Sequence, residues 1–127
     1  MNNNVFEKNI NALKIKNPAL VDKLLKHILT DVPQLVKENN FYNFTYKDKY
    51  LHNPVNPLGE AAEIFSMAEN TPVAIHLIYG IGLGYLFQVV SAKSQGTVIL
   101  YEPDLNILRT AFTLVCRSKK MIIFVLF

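Results

Sequence analysis

The stretch that decides the fold is residues 74–104, which read AIHLIYGIGLGYLFQVVSAKSQGTVILYEPD. The run of branched and apolar residues up to Tyr79 predicts a strand that a parallel sheet buries on both faces, and the glycines that follow predict a sharp turn into a helix. A second apolar run, residues 97–101, predicts another strand and ends at the acidic Glu102. Strand, glycine loop, helix, strand and acid in this order are typical of the opening of a nucleotide-binding α/β unit. We therefore predict a parallel sheet that handles a nucleotide-type ligand.

The predicted turn contains three closely spaced glycines, Gly80, Gly82 and Gly84. Glycine permits the positive φ angles that a sharp turn needs, and it lets backbone N–H groups approach a ligand. The dinucleotide fingerprint has its third glycine one place later, where this chain has the bulky Tyr85. The pattern is closer to methyltransferase-like folds, which indicates a Rossmann-like (methyltransferase-like) parallel βαβ unit. The alternative is that the glycines only make a tight turn.

The acid after the second strand completes the candidate site. A carboxylate here accepts hydrogen bonds from ribose hydroxyls in dinucleotide and S-adenosylmethionine folds, because a vicinal diol presents two donors. Asp104 is interpreted instead as the N-cap of the next helix. The predicted cofactor-binding residues are therefore Gly80, Gly82, Gly84, Tyr85 and Glu102.

The sequence pattern in the first half of the chain predicts an N-terminal subdomain that consists of helices and a small sheet. Two helices are expected, the second beginning at Asn17-Pro18, including Leu29 and ending or restarting at Pro33, with a further turn over residues 34–37. Residues 41–51 alternate aromatic and polar side chains, which predicts an antiparallel strand with Tyr42, Phe44 and Tyr46 on its buried face. The two prolines of residues 52–57 indicate a hinge. We place the boundary there, with residues 1–56 as the N-terminal subdomain and residues 57–127 as the α/β unit.

Composition narrows the class of protein. The chain has 127 residues, a formal net charge of +3 and a single cysteine, Cys116, so a disulfide scaffold within the chain is excluded. The basic residues are spread out, which disfavours nucleic-acid binding. The N-terminus lacks the pattern of a secretory signal, and three glycines interrupt the uncharged stretch of residues 73–92, so we expect a cytoplasmic protein without a membrane span.

The sequence offers no metal site and no catalytic constellation. The three histidines have no metal-ligand spacing, and no second cysteine supports them. Their positions give no Ser-His-Asp or Cys-His arrangement, so the catalytic residues stay unknown and the chain's status as an enzyme stays uncertain.

Two blocks carry a family resemblance. Residues 78–85, IYGIGLGY, and residues 98–104, VILYEPD, resemble the start of the motility accessory factor proteins, and residues 6–10, FEKNI, extend the resemblance toward the N-terminus. These bacterial proteins are implicated in glycosylating flagellin with nonulosonic acids such as pseudaminic or legionaminic acid. The resemblance implies a glycosyltransferase-like protein, a nucleotide-activated sugar (a CMP-nonulosonate) as candidate ligand, and flagellin as candidate acceptor.

The end of the chain departs from that family, whose members are several times longer. Residues 121–127, MIIFVLF, are either a third strand or the end of a truncated gene, and we favour truncation because a half-built parallel sheet leaves unpaired edges. We then expect little turnover from this chain alone. Two other functions stay open, an S-adenosylmethionine-dependent methyltransferase-like protein and a non-catalytic interaction module.

Overall fold

The computed structural model describes residues 3–68, 75–94, 96–114 and 122–124. Ala74, the first residue of the first predicted strand, and Cys116 lie outside these residues. The helices and strands are, in chain order, α1 (Asn3–Lys16), α2 (Pro18–Lys26), β1 (Gln34–Glu38), β2 (Phe41–Tyr46), β3 (Lys49–Tyr50), α3 (Pro57–Ser66), β4 (Ile75–Tyr79), α4 (Tyr85–Lys93), β5 (Thr97–Tyr101), α5 (Leu105–Leu114) and β6 (Ile122–Phe124). Within the described ranges, no helix has the length and apolar character needed to cross a membrane.

The C-terminal strands form the predicted parallel sheet. Their order is β4-β5-β6 and both pairs are parallel, with Leu77 opposite Ile99 and Ile99 opposite Ile122. Successive strands added outward in one direction correspond to one half of a doubly wound fold. The α/β prediction is therefore confirmed, and the third-strand interpretation of the C-terminal run holds for residues 122–124.

One face of this sheet is more open than a parallel sheet predicts. Ile78 is buried, and the core cluster that contains it also holds Phe87 and Val90 of α4. Leu77 and Tyr79 point to the opposite face, where their side chains are 71% and 74% exposed. The expectation that β4 is buried on both faces is wrong for the described residues, because helix α4 covers one face only.

The N-terminal sheet is antiparallel, in the order β1-β2-β3. The predicted helical turn over residues 34–37 is wrong, since these residues form β1, and α2 ends at Lys26, before the predicted Leu29. The two-residue turn between β1 and β2 has positive φ at both Asn39 and Asn40. This turn geometry matches the twist of a hairpin, and asparagine tolerates it better than most residues.

The aromatic strand is only partly buried as its alternation predicts. Phe44 and Tyr46 lie in the interior, whereas Tyr42 is 50% exposed. The polar Asn43 on the other face is 2% exposed, because its side chain binds the chain after β3. Its Oδ1 accepts the N–H groups of Phe44 (2.8 Å) and His52 (3.1 Å), and its Nδ2 donates to the His52 carbonyl (2.9 Å).

A single apolar core joins the two halves of the chain. The core cluster contains Leu24 of α2, Phe44 of β2, Ile78 of β4 and Leu108 of α5. Polar bonds reinforce the contact, since Arg109 of α5 donates to the carbonyls at the end of α2. The separate subdomains at residues 1–56 and 57–127 stay a prediction.

Removing the Asn43 amide tests whether this side chain holds the segment after β3 in place. We expect Asn43→Ala to lower the free energy of unfolding by about 2 kcal/mol or more, because it leaves buried backbone groups without a partner. Urea denaturation measures this loss. The matched control is Asn11→Ala on the exposed side of α1, which should change stability by less than about 0.5 kcal/mol. Equal effects of the two variants would contradict this role of Asn43.

Candidate functional site

A cleft of about 340 Å³ opens at the carboxyl ends of β4 and β5. Ligands of open α/β sheets bind at this edge, and the volume falls in the range of small-molecule sites. Its walls come from the glycine loop, from α3 and from the segment that follows β3. The lining residues are Leu51, His52, Pro57, Glu60, Ala61, Ile64, Tyr79, Gly80, Ile81, Gly82, Tyr85, Leu86, Glu102 and Ile107.

The glycine loop takes the backbone conformation that its sequence predicts. The φ angles of Gly80, Gly82 and Gly84 are +87°, +47° and +81°. The Gly80 N–H donates to the Tyr101 carbonyl (2.8 Å) and continues the pairing of β4 with β5, while the Gly84 N–H donates to the Ile81 carbonyl (2.7 Å) and closes the turn. Gly84 then stands at the N-cap of α4 with no side-chain cap bond.

Glu102 anchors this loop from the end of β5. Its side chain is 4% exposed, and its Oε2 accepts the Ile81 N–H (2.9 Å) while its Oε1 accepts the Asp104 N–H (3.0 Å). Burial raises the pKa of Glu102 above 4.5, and the two backbone N–H bonds oppose that rise. Each oxygen keeps a second lone pair, so the carboxylate can bind the loop and accept from a ligand at once.

Asp104 performs the capping role that the sequence predicts. Its Oδ1 accepts the Asn106 N–H (2.9 Å) at the first turn of α5, and its Oδ2 accepts the hydroxyl of Tyr46 (2.8 Å). This second bond ties the aromatic strand to the helix that follows Glu102. Burial raises the pKa of Tyr46, which keeps the hydroxyl protonated and able to donate.

His52 is the residue of the site that sequence reasoning missed. Its Nε2 accepts the Leu83 N–H (2.9 Å), so in this arrangement that nitrogen carries no proton. Its ring lies over Gly82, where a Cβ atom would collide with it. In the sequence, the nearby hinge prolines are the only signal in this segment. No motif spacing connects residue 52 with the glycine loop. Burial lowers the pKa of His52 below 6.5, and the charge of Glu60 opposes that shift.

Tyr85 lines the cleft instead of crowding the helix against the sheet. Its ring meets the His52 ring edge to face, with centroids 4.9 Å apart and planes at 89°. Its hydroxyl donates to the Tyr42 carbonyl (2.5 Å), and burial raises its pKa. A tyrosine is therefore accommodated where the dinucleotide fingerprint has glycine, because the side chain points to the N-terminal sheet.

The structure brings most of the predicted site residues together. Gly80, Gly82, Tyr85 and Glu102 line one cleft, while Gly84 is the N-cap of α4 and is not one of the lining residues. Whether these residues bind a cofactor stays a prediction. Across the described parts of the chain, no group of three or more His, Cys, Asp or Glu side chains is placed to hold a metal ion.

No protein-family model matches the chain, and no curated protein matches it significantly. Among solved structures it is similar to the MAf glycosyltransferase from Magnetospirillum magneticum AMB-1, with a TM-score of 0.69 and 13% identity. The likeness covers 98% of this chain and 28% of that one.

This likeness shows the fold of the chain. It includes both the N-terminal helices and sheet and the glycine-loop unit, because it covers nearly all of the chain. The chain spans little more than a quarter of that protein's length.

A double-mutant cycle tests the contact between Gly82 and His52. We expect Gly82→Ala to cost about 2–4 kcal/mol, because it adds a left-handed φ penalty to a collision with the imidazole ring. In a His52→Ala background the collision disappears and only the φ penalty remains. Urea denaturation of the four proteins gives the coupling free energy, for which we expect about 1 kcal/mol or more. Additive effects would contradict the contact.

The lowered pKa of His52 predicts a pH-dependent stability. The unfolded chain takes up the His52 proton near pH 6.5, whereas the folded chain takes it up only at a lower pH. The stabilisation that comes from a neutral His52 is therefore complete above pH 6.5, and it is lost as the pH falls from 6.5 through the lower pKa of the folded state. Glutamine cannot gain this proton. The stability advantage of the wild type over His52→Gln should therefore shrink between pH 7.5 and 5.5 in urea titrations. A constant difference would show that the imidazole has an ordinary pKa.

Proposed function

We propose that the cleft is the nucleotide-binding part of an MAf-like glycosyltransferase site and that its ligand is a CMP-activated nonulosonic acid. The observation that carries the proposal is the position of the glycine loop and Glu102, which line one cleft at the carboxyl edge of a parallel sheet. Sequence resemblance supplies the sugar class and the fold likeness supplies the glycosyltransferase relationship. Flagellin as acceptor rests on the resemblance, and we assign no catalytic residue.

Glu102 is the proposed partner of the ribose. Its oxygens have spare lone pairs, and a diol offers the two donors that they can accept. Gly80 keeps the approach open, because a Cβ atom there would lie 4.0 Å from Glu102 Oε2 and a longer side chain would cover it. The apolar wall formed by Ile64 and Leu86 suits the carbon skeleton of a nucleoside.

A second candidate is S-adenosylmethionine. The described residues that line the cleft include the carboxylates of Glu60 and Glu102 and no Lys or Arg. Such a lining favours a ligand with positive charge, and this cofactor carries a sulfonium and an ammonium group. The glycine loop and the acid after the second strand suit both candidates.

Calorimetric titration separates the candidates. The purified chain is titrated with a CMP-nonulosonate, with cytidine and with S-adenosylmethionine at pH 7, and amide chemical shifts locate any binding. We expect the CMP-sugar and cytidine to bind and to shift the amides of Ile81, Leu83 and Glu102. Binding of S-adenosylmethionine alone would establish the second candidate. Binding of none would overturn both and favour an interaction module.

A matched pair of tryptophan variants tests whether the ligand occupies the cleft. Ile64 lies on the cleft wall and is 44% exposed, so Ile64→Trp should fold and fill the space. We expect it to weaken binding of the CMP-sugar at least about tenfold, because a bulky ring excludes the nucleoside. The control is Met67→Trp. Met67 is three residues further along, at the C-cap of α3 and outside the cleft, so this change should leave the affinity unchanged. Equal affinities of both variants would place the ligand elsewhere.

A further inference from the structure

The cleft poses an electrostatic problem for any nucleotide. A phosphate is an anion, yet the described lining residues contribute two carboxylates and no permanent cation. The side chain among them that can acquire a positive charge near neutral pH is His52. A phosphate that enters this cleft therefore needs either His52 or the backbone to balance its charge.

Four backbone donors of the loop are already engaged, two by side chains and two by backbone carbonyls. The Ile81 N–H is bound by Glu102 and the Leu83 N–H is bound by His52 Nε2. The Gly80 and Gly84 N–H groups are bound by carbonyls of the chain. In many nucleotide-binding folds such loop amides bind phosphate directly, but here a phosphate must displace a bound group to reach any of these four amides. His52 is the group that protonation displaces, since an imidazolium nitrogen cannot accept a hydrogen bond.

We propose that His52 is the phosphate-recognising residue of the cleft, and that it takes up one proton from solvent as a nucleotide binds. The protonated ring then donates Nε2–H to a phosphate oxygen and releases the Leu83 N–H to another. Because Nε2 and the Leu83 nitrogen are 2.9 Å apart, both donors face the same small space. This inference rests on the proposed function and names the residue that reads the phosphate.

Side chains from several helices and strands surround His52 and favour this exchange. Glu60 of α3 lines the same cleft, and its charge favours the imidazolium. Glu102 at the end of β5 adds a second carboxylate, and Tyr85 of α4 presents its ring to the imidazole. Asn43 of β2 fixes the backbone of residue 52, so the ring can change its protonation state without leaving the cleft. Burial keeps the pKa of His52 low in the free chain, and the phosphate reverses that preference.

The test compares two ligands that differ only in the phosphate. The probes are cytidine and the methyl phosphodiester of CMP, whose single negative charge stays constant between pH 6 and 8. Calorimetry at each half pH unit, in two buffers with different heats of ionisation, gives the affinity and the number of protons bound. We expect the affinity of the phosphodiester to rise by up to about tenfold per unit fall in pH, with proton uptake approaching one. The affinity of cytidine should stay constant.

Two histidine variants make the assignment specific. In His52→Gln the side-chain oxygen can still accept the Leu83 N–H, but no proton can be gained, so the pH dependence and the proton uptake should disappear. Its affinity for the phosphodiester at pH 6 should fall at least about tenfold, and by more than its affinity for cytidine. The control is His76→Gln, because His76 binds Ser94 Oγ and does not line the cleft. That variant should keep the full pH dependence.

The outcomes separate this inference from the proposed function. Failure of both probes to bind the wild type overturns the nucleotide proposal and the role of His52 together. Binding of both probes with equal, pH-independent affinity supports a nucleotide site but overturns phosphate recognition by His52. A pH dependence that survives in His52→Gln also overturns it.

Discussion

The glycine loop depends on two hydrogen bonds that its amides make to side chains from outside the loop. Glu102 binds the Ile81 N–H from the end of β5, and His52 binds the Leu83 N–H from the segment after β3. Three glycines with positive φ are adjacent to these amides, so the β4–β5 ladder ends at Gly80 and does not hold the rest of the loop. The shape of the cleft therefore follows from one buried carboxylate and one neutral imidazole.

The N-terminal sheet matters to the site because it delivers that imidazole. Two tight turns with positive φ angles, one at Asn39-Asn40 and one at Lys47-Asp48, fold β1, β2 and β3 into a compact hairpin pair. The buried Asn43 then binds both backbone groups of His52 and fixes the backbone at this residue. The contact of Tyr46 with Asp104 ties the same strand to α5. Sheet, loop and helix thus share one network.

The elements with strong local signals were predictable from the sequence. The βαβ order, the proline-started helix α2 and the Asp104 cap all depend on neighbours close in the chain. Strand β1 was missed because the Asn39-Asn40 turn is a weaker hairpin signal than Asn-Gly, and Pro33 resembles a helix punctuator. His52 was missed because its partner lies 31 positions away, and no local pattern marks a contact at that range. The three glycines adopt the positive φ angles that the sharp turn was predicted to need. Gly82 is also required for a second reason, because the His52 ring leaves no room there for a Cβ atom.

The most direct test of this central role is the hydrogen bond between His52 and Leu83 itself. In a 15N-labelled chain at pH 7.5, NMR can detect scalar coupling across the bond between the Leu83 amide nitrogen and His52 Nε2. We expect a measurable coupling and an imidazole that carries its proton on Nδ1, since Nε2 must be free to accept. An imidazole protonated on Nε2, with no coupling to Leu83, would contradict the proposed anchoring of the loop.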